Sequence, residues 1–333
     1  MIRSFRSIGL ALLLVPFVSS AAFACAGLIG PNGAVSLVRT TTLAAHHNGV
    51  EHYVTAFSFQ GGGGQFGSIV PLPGVPTKVE RGGDWTLQRL LQETRPLGAL
   101  RAAPTAQARE DVRVILETKI DALEITILEG GGTAVGRWAR AHGFLLPPDA
   151  PEILDFYASR SPIFIAARFD ADAARKRGQR IGDGTPIHLT IPLANPWVPL
   201  RILALGKQAS DVVQADVYLL TDIKPALLPR IRRGLSLRHS GAASPELLRD
   251  LRSDKGMDWI PPHGMWLTQL AVDSAAADLT YDLAIDVSGR GRPSHIAAGL
   301  EAPRLLMPLL PAVAFVLVGM GVTAARRDRR GRS

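Results

Sequence analysis

The chain has 333 residues, 47% of them hydrophobic, a net charge of +8 and a single cysteine. That length allows one or two domains with an ample core, and a lone cysteine excludes an internal disulfide. Two charge units lie in residues 1–24 and four in residues 326–333, which leaves two of the +8 for everything between, too few to point to nucleic acid.

Residues 1–24 read as a cleaved signal peptide. Arg3 and Arg6 form a basic start, residues 8–18 a short apolar run, and Ala22-Phe23-Ala24 an A-x-A cleavage site. Cleavage there leaves Cys25 first in the mature chain. Ala22 and Phe23 do not suit a lipobox, so lipid attachment is not expected.

Residues 34–45 and 50–59 are rich in β-branched and aromatic residues, and Asn48-Gly49 between them suits a tight hairpin turn. The turn carries the densest titratable cluster, His46, His47, Glu51 and His52. With a two-residue loop, His47 faces Val50, His46 faces Glu51 and Ala45 faces His52. Alternation then puts His47 and His52 on one face and His46 and Glu51 on the other. No face collects the three ligands of a catalytic zinc, so no metal residue is assigned.

Gly62, Gly64 and Gly67 match G-x-G-x-x-G after a strand. A phosphate loop must open a helix, and Ser68 to Pro76, with three prolines, can only be extended. No cofactor-binding residue is assigned there. Asp84 then looks like the N-cap of a short helix that ends before Pro96.

A second hairpin is expected over 112–117 and 123–129, followed by helices over 133–142, closed by Gly143, and 151–159. Strands are expected over 162–169, 187–193, 200–205 and 212–221. Alternation along 187–193 places His188 on a wet face. Asp170 and Asp172 could begin a calcium loop, but the later acidic ligands are absent and cations crowd the site.

Residues 224–238 are proline-broken and dense in arginine at Arg230, Arg232, Arg233 and Arg238. Ser244 caps a helix to about residue 253. Residues 265–272 and 279–287 suggest a third hairpin, with Leu279, Tyr281, Leu283, Ile285 and Val287 inward and Asp282 and Asp286 outward. Residues 289–304, with Arg290, Arg292 and Arg304, read as a Gly/Arg/Pro stalk. Residues 305–325 carry no charge and are long enough for a bilayer span. The arginines at 326, 327, 329 and 330 would hold the tail in the cytoplasm.

The fold class expected is therefore α+β, mainly antiparallel hairpins with a few short helices, plus one C-terminal transmembrane helix. The division is a signal peptide at 1–24, an exported domain of one or two subdomains at 25–288, a stalk at 289–304, a span at 305–325 and a basic tail at 326–333. No G-x-S-x-G, S-x-x-K or H-E-x-x-H occurs, and Cys25 sits at a chain end, so no catalytic residue is assigned.

Ala24-Cys25-Ala26-Gly27, Phe66 to Pro73 (FGSIVPLP), Trp138 to Phe144 (WARAHGF), Val198 to Leu203 and Trp266 to Leu270 (WLTQL) occur in one order. In that order they resemble the signatures of a bacterial family known as domain of unknown function 2330. The resemblance covers most of residues 25–290. Family members commonly begin Cys-Gly-Gly and carry a second cysteine soon after. Ala26 and the lone cysteine depart from that pattern, so no disulfide or metal role is carried over. The resemblance implies location and architecture rather than an activity.

The function expected is a membrane-anchored cell-envelope binding or assembly module without cofactor. Its partners would be the membrane through one helix, with envelope proteins, anionic lipid or wall polymer beside it. The exported part would face the cell surface or periplasm. The alternative is an envelope enzyme whose site is assembled from distant residues.

Overall fold

Asn48 and Gly49 both turn with positive φ, 51° and 78°, the left-handed pair that a two-residue hairpin loop requires. They join strands β2 (Val35–His47) and β3 (Val50–Gly61). The register pairs His47 with Val50, His46 with Glu51 and Ala45 with His52, as the turn dictates. The computed structural model describes residues 27–29, 35–61, 67–83, 85–94, 113–144, 146–169 and 185–301. The chain divides into units Met1–Leu300 and Glu301–Ser333, and the architecture here is that of the first.

The hairpin lies inside a seven-stranded sheet. From edge to edge its order is β13 (Leu235–Ala242), β14 (Trp266–Ala275), β11 (Val212–Thr221), β2, β3, β9 (Ile187–Pro192) and β5 (Lys78–Arg81). Every contact is antiparallel except β11 with β2, which is parallel. A five-stranded sheet runs β1 (Gly27–Ile29), β4 (Gly67–Leu72), β8 (Ile163–Phe169), β7 (Leu123–Glu129) and β6 (Arg113–Ile120). A small third sheet holds β10 (Trp197–Val198), β15 (Leu283–Asp286) and β12 (Ala226–Leu228).

Alternation along β11 sorts the core into two. Tyr218 and Leu220 face α1 (Thr86–Thr94) and α4 (Pro245–Ser253), packing with Leu90, Leu247, Leu251 and Met257. Val217 and Leu219 face the other way. They join a larger cluster with Ile69, Ile125 and Ile127 of the five-stranded sheet. Trp138 of α2 (Gly132–Ala141) and Leu154 of α3 (Ala150–Ala158) complete that cluster. Each such side chain taken out of water contributes about 1.5–3 kcal/mol. A short helix, α5 (His295–Ala298), closes the described chain.

Several expectations are corrected. No described helix is long and apolar enough to cross a membrane, so the expected α+β fold with one C-terminal transmembrane helix gives way to a sheet-rich fold with short helices. Residues 305–325, like the signal segment 1–24, lie outside the described residues. Residues 200–205 are not a strand but a 3-10 turn, Arg201–Ala204. The segment 279–287 does not pair with β14: its strand β15 lies between β10 and β12. Covered on both faces, it buries Asp282 and Asp286, which were expected to point outward. His188 is buried as well, because His52 and Trp259, the latter in the turn after α4, pack over the face of β9 that was expected to be wet. Asp84, Asp170, Asp172 and Arg304 lie outside the described residues. The expected stalk is described as far as residue 301, as a turn around Asp286 followed by α5.

Candidate functional site

The hairpin end of β2 and β3 gathers side chains from distant parts of the chain. His46 Nε2–H donates to the Leu193 carbonyl at 2.8 Å, which ties β2 to the end of β9. His47 Nδ1–H donates to Asp222 at 2.7 Å, so its Nε2 accepts from the Asn48 amide at 2.8 Å. His52, on the helical face, has its Nδ1 3.0 Å from His188 Nε2, and its ring stacks on Trp259 at 3.7 Å and 4°. Glu80 Oε1 lies 3.4 Å from His188 Nδ1 and 2.7 Å from Lys78. His188 Nδ1 makes no hydrogen bond, and the two rings share a single proton across the His52–His188 contact.

Burial holds this pair neutral. His52 is pushed down to about 3, first by burial and then by the charges of His188, His47, His46 and Lys78. His188 is pushed down to about 4 by burial and Lys78, against the pull of Glu80 and Asp258. His46, His47 and His52 each have a different partner. Among the described residues no three His, Cys, Asp or Glu side chains converge where a metal ion could sit.

Glu51 occupies the opposite face. It is 0% exposed, and neither carboxylate oxygen has a partner. Burial alone lifts its pKa well above the ordinary range, so the group is carried as the neutral acid. Its neighbours across the sheet are His46 and Ile191.

A second buried acid is fully satisfied. Asp282 Oδ1 accepts from the Tyr157 hydroxyl at 2.8 Å and from the Leu200 and Arg201 amides at 2.7 and 3.0 Å. Its Oδ2 accepts from Arg160 at 2.6 Å. Burial raises the Asp282 pKa while Arg160 and these donors pull against it. Arg160 also donates to the Ala297 carbonyl and lies over the Phe156 ring. This knot joins α3, the 201–204 turn and α5, with every group occupied, and so serves the fold.

The arginine-rich stretch surrounds one margin of the large sheet. Arg230, Arg232, Arg233 and Arg238 are exposed, and among the described residues none is ion-paired. Arg232 packs over Tyr281, its guanidinium carbon 4.9 Å from the ring centroid. Ile231 and Leu237 beside them are 48% and 46% exposed. The arginine density was legible in the sequence; its position at a sheet edge was not. His188, Glu80 and Trp259 carried no sequence signal, because only the fold brings them to His52.

No curated protein matches the chain. Among solved structures it is similar to a mutated baculovirus P35 after caspase cleavage, at 7% identity over 74% of this chain and 99% of that one, with a TM-score of 0.38. The P35 of a caspase-8 complex gives 8% identity over 78% and 98%, with a TM-score of 0.37. Baculovirus P35 alone gives 9% over 76% and 97%, with a TM-score of 0.36. Scores this low describe a loose likeness from which nothing about this chain follows. In sequence, the family model described as an uncharacterized protein conserved in bacteria (DUF2330) matches residues 18–226. With well over half of its length matched, the chain belongs to that bacterial family.

Proposed function

We propose that this chain is an exported binding module of the bacterial cell envelope, and that its contact surface is the arginine-rich margin beside β13. The observation that carries this reading is the set of exposed arginines without carboxylate partners, Arg230, Arg232, Arg233 and Arg238, interleaved with exposed Ile231 and Leu237. Like charges held together repel, and an anionic partner relieves that repulsion while the apolar residues lose water. The signal-like residues 1–24 support a place outside the cytoplasm.

Binding of polyglutamate and of polyphosphate to the purified full-length chain tests the reading, at low and at high salt. Binding is expected at low salt and weakens as salt shortens the screening length to about 8 Å and below. Arg230→Glu with Arg233→Glu is expected to weaken it by about tenfold, or about 1.4 kcal/mol. No binding of either polyanion at low salt overturns the reading.

A second, enzymatic reading rests on the His52–His188 pair, where two neutral imidazoles share a hydrogen bond with Glu80 3.4 Å from the second ring. It requires an activity that His52→Gln abolishes without unfolding the chain.

A further inference from the structure

Among the described residues no strand pairs with the outer side of the edge strand β13, and the pattern of its backbone groups follows from the register. The Asp273 amide donates to Gly234 O and the Ala243 amide to Met265 O, both at 2.9 Å. In an antiparallel ladder, bonded and non-bonded pairs alternate. Continuing that alternation through the register on both sides of the bulge between Leu237 and His239 gives Ser236, His239 and Gly241 to β14. Leu235, Leu237, Ser240 and Ala242 then turn their backbone N–H and C=O away from it. The outward groups of Leu235 are already used: its N–H donates to Arg232 O at 2.9 Å, and its C=O accepts from Arg232 N–H at 3.2 Å. Those of Leu237, Ser240 and Ala242 make no backbone bond among the described residues, and all three residues are exposed.

We infer that the open edge from Leu237 to Ala242 takes an acidic, extended peptide segment of a partner protein as an added strand; this deepens the reading of the arginine margin as the contact surface. Main-chain bonds to Leu237, Ser240 and Ala242 supply affinity that does not depend on side chains. Arg238, in the bulge, and Arg230, Arg232 and Arg233, beside the start of the strand, supply the preference for carboxylates through charge-assisted bonds. The turn that seals Leu235 sets where the added strand begins. A second copy of this chain is a poor occupant of the same edge, since it would bring a second set of Arg230, Arg232, Arg233 and Arg238 to an already basic margin.

The test uses the full-length chain and a short peptide alternating glutamate with valine and threonine. Its comparison peptide has the same sequence but is N-methylated at alternate residues, which removes the ladder donors and leaves the charge. The acidic peptide is expected to bind at low salt and to slow amide hydrogen exchange at Leu237, Ser240 and Ala242. The N-methylated peptide is expected to bind at least about tenfold more weakly, and Arg238→Glu to weaken the unmodified peptide by a similar factor. Equal binding of the two peptides, or binding of polyphosphate alone, overturns the added strand while leaving the basic contact surface standing. Failure of both peptides and both polyanions at low salt overturns the inference and the reading beneath it together. Protection of the same amides that rises with protein concentration and needs no peptide assigns the edge to a second copy and overturns the inference.

Discussion

Asp254 caps a helix from far along the chain: its Oδ2 accepts both the Thr86 amide, at 2.7 Å, and the Thr86 hydroxyl, at 2.8 Å. The Trp85 amide joins the same oxygen at 2.9 Å. Asp254 itself ends α4, its backbone N–H donating to the Leu251 carbonyl, so one residue closes one helix with its backbone and opens another with its carboxylate. Helix N-termini leave amides unpaired, and here a tertiary contact satisfies them.

The first prediction follows from that contact. Asp254→Ala leaves buried donors without an acceptor and is expected to destabilise the domain by about 1–3 kcal/mol. Gly83→Ala should cost a comparable amount, because its added methyl would land on the Asp254 carboxylate. Urea denaturation checks both, as lowered midpoints at unchanged slope. Wild-type midpoints would show the cap to be idle.

The second prediction concerns the buried ion pair. Asp282→Ala strands the Arg160 guanidinium and the amides of Leu200 and Arg201, with an expected cost of about 3–5 kcal/mol. A double-mutant cycle with Arg160→Met reads the coupling. The double variant is expected to lose less than the sum of the two single ones. Strict additivity would mean the two side chains act independently.

The third prediction turns on Glu51, buried without a partner. Its folded-state pKa is raised, so its contribution is fully present below the unfolded value of about 4.3 and is lost as pH rises toward the folded value. Glu51→Gln removes that dependence. The difference in unfolding free energy between variant and wild type is expected to grow in favour of the variant, by up to about 1.4 kcal/mol per pH unit above that point. Denaturation curves at intervals between about pH 5 and 8 measure it. Curves that stay parallel would refute a neutral Glu51.

The fourth prediction takes the opposite sign. His52 and His188 have folded values lowered to about 3 and about 4. Their contribution is present above the unfolded value of about 6.5 and is lost as pH falls toward those values. Lys78, Glu80, Asp258, His46 and His47 set the surrounding charge. Trp259, stacked on His52, should report the loss as a change in its fluorescence on acidification. His188→Gln is expected to shift that change, and an unshifted transition would assign it elsewhere.

How much of this was legible in the sequence depended on how local each signal is. Asn48-Gly49 dictated a turn, and with it the register that separates Glu51 from His52. Ser244 was legible as a cap and accepts the Leu247 amide. Asp282 and Asp286 misled, because alternation identifies two faces of a strand without saying that both are covered. The Asp254 cap and the His52–His188 bond join residues more than a hundred positions apart, and no window along the chain contains both partners. The arginines beside β13 were conspicuous as composition. That β13 is an edge follows only from strand order.

The parallel contact of β2 with β11 also constrains how the molecule forms. Thr40 and Ala215 are partners more than half the chain apart, and a pairing of such sequence separation costs loop-closure entropy before it returns any contact energy. The early hairpin can form as soon as it emerges, yet one flank of β2 has nothing to pair with until residues 212–221 arrive. A chain made from its N-terminus therefore carries an unpaired strand edge through about half of its synthesis. Shielding of that nascent edge, together with the strength of the finished core, then sets how much of the chain escapes aggregation.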